Sequence, residues 1–324
     1  MHFRTELPVS PASFRIQLAD PLLSLGSCFA DRLGQRLHDY KFQVLHNPFG
    51  IVYNPLSLHR LLQLAAHRQP FAEAGYLERE GQWFHYDAHS EVTAGSREAL
   101  AQRLTETVAQ MHHWLRQTRV LLLTWGTAFV YQRVDTPAIV ANCHKLPARQ
   151  FRKELLSVDR IVDDATATLQ AARRLAPDLE VILTVSPVRH VKDTLPLNSV
   201  SKATLRLAAH QLQERHPYVT YFPSYELLID DLRDYRFYGS DLLHPTEMAE
   251  AYVWEKFDQT FLSESALAFV KEWEGIRRAL AHRPFQPDSP AHQQFLRSLH
   301  TKLQSLAHAV DVSTELHHIG QQLH

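Results

Sequence analysis

Two short stretches hold residues that could do chemistry together. The first is Leu22-Leu23-Ser24-Leu25-Gly26-Ser27-Cys28-Phe29-Ala30, where an apolar run meets a glycine and then a cysteine. Phe29, Leu33 and Leu37 recur at helical spacing, so the stretch reads as strand, tight turn and helix with Cys28 at the helix start. A thiol there sits at the positive end of a helix dipole, among N–H groups without intrahelical partners. Both features favour a thiolate and an oxyanion. The second stretch is Asp241-Leu242-Leu243-His244-Pro245. A carboxylate three residues before a histidine can fold under the ring and accept one ring N–H, leaving the other nitrogen as a base. Alone this is weak, since a capping Asp beside an exposed His explains it as well. Paired with a thiol on the same sheet edge, it becomes a Cys–His–Asp triad of Cys28, His244 and Asp241.

The elements that must position these residues alternate along the chain. After the strand, turn and helix over 21–40, strand candidates at 42–45, 120–125, 181–185 and 218–222 are interleaved with helices over 57–67, 96–116, 158–175 and 199–214. Ser57 is a candidate cap for the second helix, and Pro245 suits the first turn of a last helix reaching about residue 262. The alternation predicts an α/β sandwich with a mostly parallel sheet, whose ligands bind beyond the carboxyl ends of the strands. The loops at 26–28, 46–55, 126–145, 186–193 and 238–245 then form the functional edge. Residues 70–95, with Trp83, Phe84 and Tyr86 beside Gly81, read as a small hairpin insertion, and the stretch up to Val140 as another hairpin. Beyond 262 strand signals stop. Leu296, Leu299, Leu303 and Leu306 predict one or two amphipathic helices, packed back on the core or forming a homodimer contact. The division is therefore a domain over 1–262 and a helical extension over 263–324.

Composition narrows the function classes. A net charge of −1 over 324 residues gives no electrostatic case for nucleic acid or an acidic membrane. No apolar run approaches a transmembrane length, and Met1-His2-Phe3-Arg4-Thr5-Glu6-Leu7-Pro8 lacks the apolar core of a signal peptide. Two cysteines, Cys28 and Cys143, exclude a disulfide scaffold. A cytoplasmic protein is expected. His317, His318 and His324 lack the Cys or acidic partners of a zinc motif, so neither metal nor cofactor is expected. Gly-x-Ser-x-Gly, the phosphate-binding Gly-x-x-x-x-Gly-Lys loop and His-Glu-x-x-His are all missing.

Six blocks in order carry a family resemblance: Leu25-Gly26-Ser27-Cys28-Phe29-Ala30, Asn47-Pro48-Phe49-Gly50-Ile51-Val52-Tyr53-Asn54-Pro55, Trp125-Gly126-Thr127-Ala128, Asn142-Cys143-His144-Lys145, Ser186-Pro187-Val188-Arg189 and Asp241-Leu242-Leu243-His244-Pro245. Over about residues 5–262 the chain resembles the GSCFA-domain proteins, which look like a branch of the SGNH (GDSL-type) hydrolases. The resemblance implies a three-layer α/β/α sandwich with a flavodoxin-like sheet and metal-free ester cleavage. It puts Cys28 at the position of the hydrolases' nucleophilic serine and Ser27 where their Asp stands. It also implies Gly50 as an oxyanion-binding N–H. The hydrolases' Gly-x-Asn-Asp block is Gly126-Thr127-Ala128-Phe129 here and has no Asn. Thr127 or the displaced Asn142 must stand in for it.

Each role has a rival. Ser27 is an alternative nucleophile, and Cys28 an alternative inert buried thiol. Asn47 and Gly50 also fit a turn set by Pro48 and Pro55. Cys143 and His144 read either as a second reactive pair or as ordinary loop residues. Arg189 and His190 are candidates to hold an anionic substrate group. The expectation is a hydrolase or acyltransferase acting on a small ester or an acylated carbohydrate. A binding protein using the same pocket for a glycan or acylated ligand is the alternative.

Overall fold

A computed structural model describes residues 4–323. Five strands form the central sheet: β1 (Leu22–Gly26), β2 (Val44–His46), β5 (Val120–Trp125), β9 (Glu180–Val185) and β10 (Val219–Phe222). All are parallel, in the order β10-β9-β5-β1-β2. Counting only these five, the order is 2-1-3-4-5, that of the flavodoxin-like doubly wound sheet, whose crevice opens between the first and third strands. Here that means β1 and β5. All six residues of β5 are buried. Both faces of the strand are covered, which is why it reads as an unbroken apolar run.

Alternation along the strands sends side chains to two cores. Leu23, Leu25, Leu121, Leu123 and Trp125 join the apolar faces of α2 (Pro55–His67), α3 (Arg97–Gln117), α4 (Val158–Leu175) and α5 (Leu195–Arg215). Leu22, Val120 and Leu122 join α1 (Cys28–Asp39) and, beyond the single turn α6 (Ser224–Glu226), α7 (Glu247–Phe261) on the other side. The three-layer sandwich is thus complete. The same second core takes in the C-terminal helices α8 (Glu264–Leu280), α9 (Pro290–Leu306) and α10 (Ser313–Gly320) through Trp273, Leu296, Leu299, Leu303 and Ile319. The leucine stripe of α9 is covered by its own chain. The indole N–H of Trp273 donates to the carbonyl of Asp39 at 2.8 Å, which fastens α8 to the end of α1.

The hairpin in the first insertion is β3 (Tyr76–Arg79) with β4 (Gln82–His85). The second insertion differs from expectation. It is a three-stranded antiparallel sheet of β7 (Ile139–Val140), β6 (Phe129–Arg133) and β8 (Phe151–Leu155). Two helix starts also differ. Asn54 rather than Ser57 caps α2, its side-chain oxygen accepting the Ser57 N–H at 2.9 Å. Pro245 lies before the cap of α7, which is Thr246, and forms a bridge with Tyr238.

Candidate active site

The β1–α1 turn is built on contacts that leave little room for change. Gly26 has φ +145°, and a Cβ there would lie 2.2 Å from the Thr124 carbonyl oxygen. Its N–H donates to Asn47 Oδ1 at 2.9 Å, while Asn47 Nδ2 donates to Asp31 at 3.2 Å. The Asn47 side chain is therefore a brace for the β1–α1 turn. Ser27 is fully buried, and its hydroxyl accepts the Phe29 N–H at 3.3 Å as the cap of α1. A capping hydroxyl with no outlet to solvent has no path to a substrate, so Ser27 is set aside as nucleophile. Cys28, half-buried, is the first residue of the helix.

Cys28 Sγ lies 3.8 Å from His244 Nε2. The other ring nitrogen, Nδ1, lies 2.6 Å from Asp241 Oδ2. With Nδ1–H donated to that carboxylate, the Nε2 lone pair faces the thiol. The second carboxylate oxygen accepts the N–H groups of Leu243 and His244 at 2.9 and 3.0 Å. These bonds, the His244 side chain first, hold the Asp241 carboxyl well below the usual carboxylate range. The pair is open to solvent, with side chains 54% and 47% exposed. Burial pushes the Cys28 thiol up, against the pull of the Phe29 N–H and of the Lys202 charge. Burial thus works against the thiolate that the helix start favours.

The expected oxyanion donors are engaged elsewhere. Gly50 N–H donates to Asn47 O at 2.8 Å, and the residue is a glycine because a Cβ would meet His89 Cβ at 2.3 Å with φ +76°. The N–H groups of Gly126 and Thr127 both go to Tyr53 O, at 2.7 and 3.1 Å. The Thr127 hydroxyl pairs with Ser201 at 3.0 Å and accepts the Phe129 N–H. Asn142 and His144 face the first insertion. Asn142 N–H donates to Tyr86 O, its side-chain oxygen accepts His144 N–H at 2.8 Å, and His144 Nε2 meets His85 O at 2.9 Å. No interaction joins either to Cys28 among the described residues. Cys143 is unpaired, its thiol pushed up to about 11 by burial. The Cys28 N–H has no backbone acceptor outside its own helix among the described residues, and it acts on the Cys28 sulfur together with the Phe29 N–H.

Arg189 lies over the ring of Tyr238 at 5.4 Å, and Tyr238 bridges to Pro245 beside His244. His190 meets the Tyr53 ring edge-on at 5.4 Å. Burial, then the Lys202 charge, drive its pKa down to about 4, so it is neutral at physiological pH. Lys202 was missed by the sequence reading. It is the one cation on the buried stripe of α5, among Ser201, Leu205, Ala208, Ala209 and Leu212. A lysine at apolar spacing was the signal available. No helix among the described residues is long and apolar enough to cross a membrane, and no group of three or more candidate metal ligands occurs among them. His324 lies outside the described residues.

Fold and site together define a doubly wound parallel α/β protein with a Cys–His–Asp chain of contacts at its switch point. The sequence model of the GSCFA family matches residues 21–257, and that of the GSCFA domain protein C-terminal domain matches residues 273–324. The chain belongs to the GSCFA family. No curated protein gives a significant match.

Proposed function

We propose that the protein is a thiol-dependent acyl hydrolase or acyltransferase of the SGNH-like kind, acting on a small ester or an acylated carbohydrate. The observation that carries this is the chain Cys28 Sγ–His244 Nε2 at 3.8 Å and His244 Nδ1–Asp241 at 2.6 Å. His244 takes the thiol proton as sulfur attacks the acyl carbon, forming the C–S bond and an oxyanion. We assign that charge to the Cys28 N–H, at the positive end of α1. Collapse breaks the C–O bond, and the leaving alkoxide takes the proton back from His244. Water or an acceptor alcohol then attacks the thioester, gives its proton to His244, and regenerates the Cys28 thiol. The two unpaired thiols suit a reducing, cytoplasmic setting.

The test is the rate of Cys28 alkylation by iodoacetamide against pH, with peptide mapping to separate Cys143, followed by turnover on a panel of acyl esters. The expected result is labelling and turnover that both fall in His244→Ala. Labelling unaffected by His244→Ala, with no Cys28-dependent turnover, overturns the proposal. One observation favours a second reading, a pocket that only binds an acylated ligand or glycan: the N–H groups of Gly50, Gly126 and Thr127 are already engaged. Ligand binding that survives Cys28→Ala, without any covalent adduct in the wild type, would support that reading instead.

A further inference from the structure

Lys202 is 1% exposed. Its Nζ donates to Gly126 O at 2.7 Å and Ser186 O at 2.6 Å, the first residues beyond β5 and β9. The third N–H has no protein acceptor, and no carboxylate pairs with the ammonium, among the described residues. A cation buried without an anion carries a large desolvation cost, and tying two carbonyls together does not require one. The position of this cation is informative. β5 borders β1 across the crevice, and Ser27 N–H donates to Thr124 O two residues before Gly126. Lys202 is therefore fastened to the end of the strand that neighbours the Cys28 turn, and a charge on either group favours a charge on the other.

We infer that Lys202 is the buried counter-charge of the Cys28 thiolate, a positioning residue that eases ionisation of the thiol and formation of the oxyanion that follows. The inference rests on Cys28 being the nucleophile. It supplies the positive charge that the engaged donors of Gly50, Gly126 and Thr127 do not. The groups around the pair are few. Lys202 faces Cys28, the neutral His190 and, at 6.0 Å, the Tyr225 ring. Cys28 faces His244, Tyr53, Asp31, whose charge opposes ionisation, and Lys202, whose charge favours it. Burial lowers the Lys202 pKa and a thiolate at Cys28 opposes that, with a net value of about 7. The two groups thus titrate as a coupled pair, and capping one must move the other.

The experiment is the pH profile of Cys28 alkylation in the full chain carrying Cys143→Ser. Lys202→Met is expected to move the midpoint up by about one pH unit, so that labelling at pH 8 is about tenfold slower. A purely structural lysine would change the melting temperature without moving that midpoint. A second measurement needs no variant at position 202: the Lys202 Cε signal is titrated by NMR in 13C-lysine protein before and after Cys28 is capped with iodoacetamide. Capping is expected to lower the Lys202 midpoint by about half a unit or more. An unmoved Lys202 midpoint overturns the inference even where Lys202→Met does not fold. If His244→Ala slows labelling but neither midpoint responds, the nucleophile stands and the counter-charge falls. If His244→Ala changes nothing, the reading of Cys28 as an activated nucleophile fails first.

Discussion

Asp241 and His244 stand three residues apart and meet through one short bond, so their relation is local and readable from the sequence. Replacing the acid keeps the shape but removes the acceptor that fixes the ring tautomer. Asp241→Asn should lower His244-dependent turnover by about 10²–10⁴-fold. The melting temperature should barely change, because the side chain is 47% exposed. Ser27 is expected to behave in the opposite way. Ser27→Ala removes the cap of α1 and should cost about 1 kcal/mol in urea unfolding, while Cys28 labelling keeps its pH profile. Labelling or turnover that vanished in Ser27→Ala at intact fold would return the serine to the role of nucleophile. The oxyanion donors were not readable. Gly50 and Thr127 are of the right type, but whether an N–H or hydroxyl is available depends on Asn47 O, Tyr53 O and Ser201. Those partners are set by the fold. Lys202 was readable in principle, as a charged residue on an apolar helical stripe.

Elements with strong periodicity or clear caps were legible: α1, α3 and α4, and the buried strands β1, β5 and β9. β8 was not, because Phe151-Arg152-Lys153-Glu154-Leu155 has three charged residues and pairs only with β6. Its strand character comes from that neighbour and not from its own composition. The helix over 199–214 begins earlier, at Leu195, because Thr194 caps it and Pro196 is tolerated in the first turn. The β1–α1 turn depends on close backbone approach. Gly26→Ala would drive a Cβ to 2.2 Å from Thr124 O. That variant should lose at least about 2 kcal/mol in urea unfolding, and surviving folded protein should show a displaced Cys28 with slowed labelling. A neutral Gly26→Ala would mean that the turn is looser than its hydrogen bonds indicate.

For the whole molecule, the sequence could tell that α9 has an apolar stripe but not what would cover it; intramolecular and intermolecular partners look alike from one chain. The answer is the core shared by α1, α7 and the C-terminal helices. Trp273→Ala should therefore cost about 3–5 kcal/mol and lower a single unfolding transition reported equally by both parts of the chain. Two separate transitions would show that 263–324 unfolds on its own. In the same region, burial raises the Asp258 carboxyl to about 7, with Glu255 and Glu274 adding to the effect and the Gln259 N–H and Arg36 opposing it. The folded state then holds a proton that the unfolded state releases above the ordinary carboxylate range. The contribution of this group is fully present below pH ~4 and is lost as pH rises through about 7. Asp258→Asn should gain stability relative to wild type at pH 8 but not at pH 4, a difference that thermal melts at the two pH values will resolve.

The contact between Cys28 and His244 spans 216 residues of chain. At about 5–20 residues per second, roughly ten to forty seconds of translation separate the two side chains. For that interval the nascent thiol has no base, and for most of it Lys202 has not been made either. The protein thus carries no activated sulfur while it is unfolded and crowded by other chains. On the proposed mechanism, reactivity arrives only with the last strand and the loop that follows it, so a truncated or stalled product should be chemically quiet.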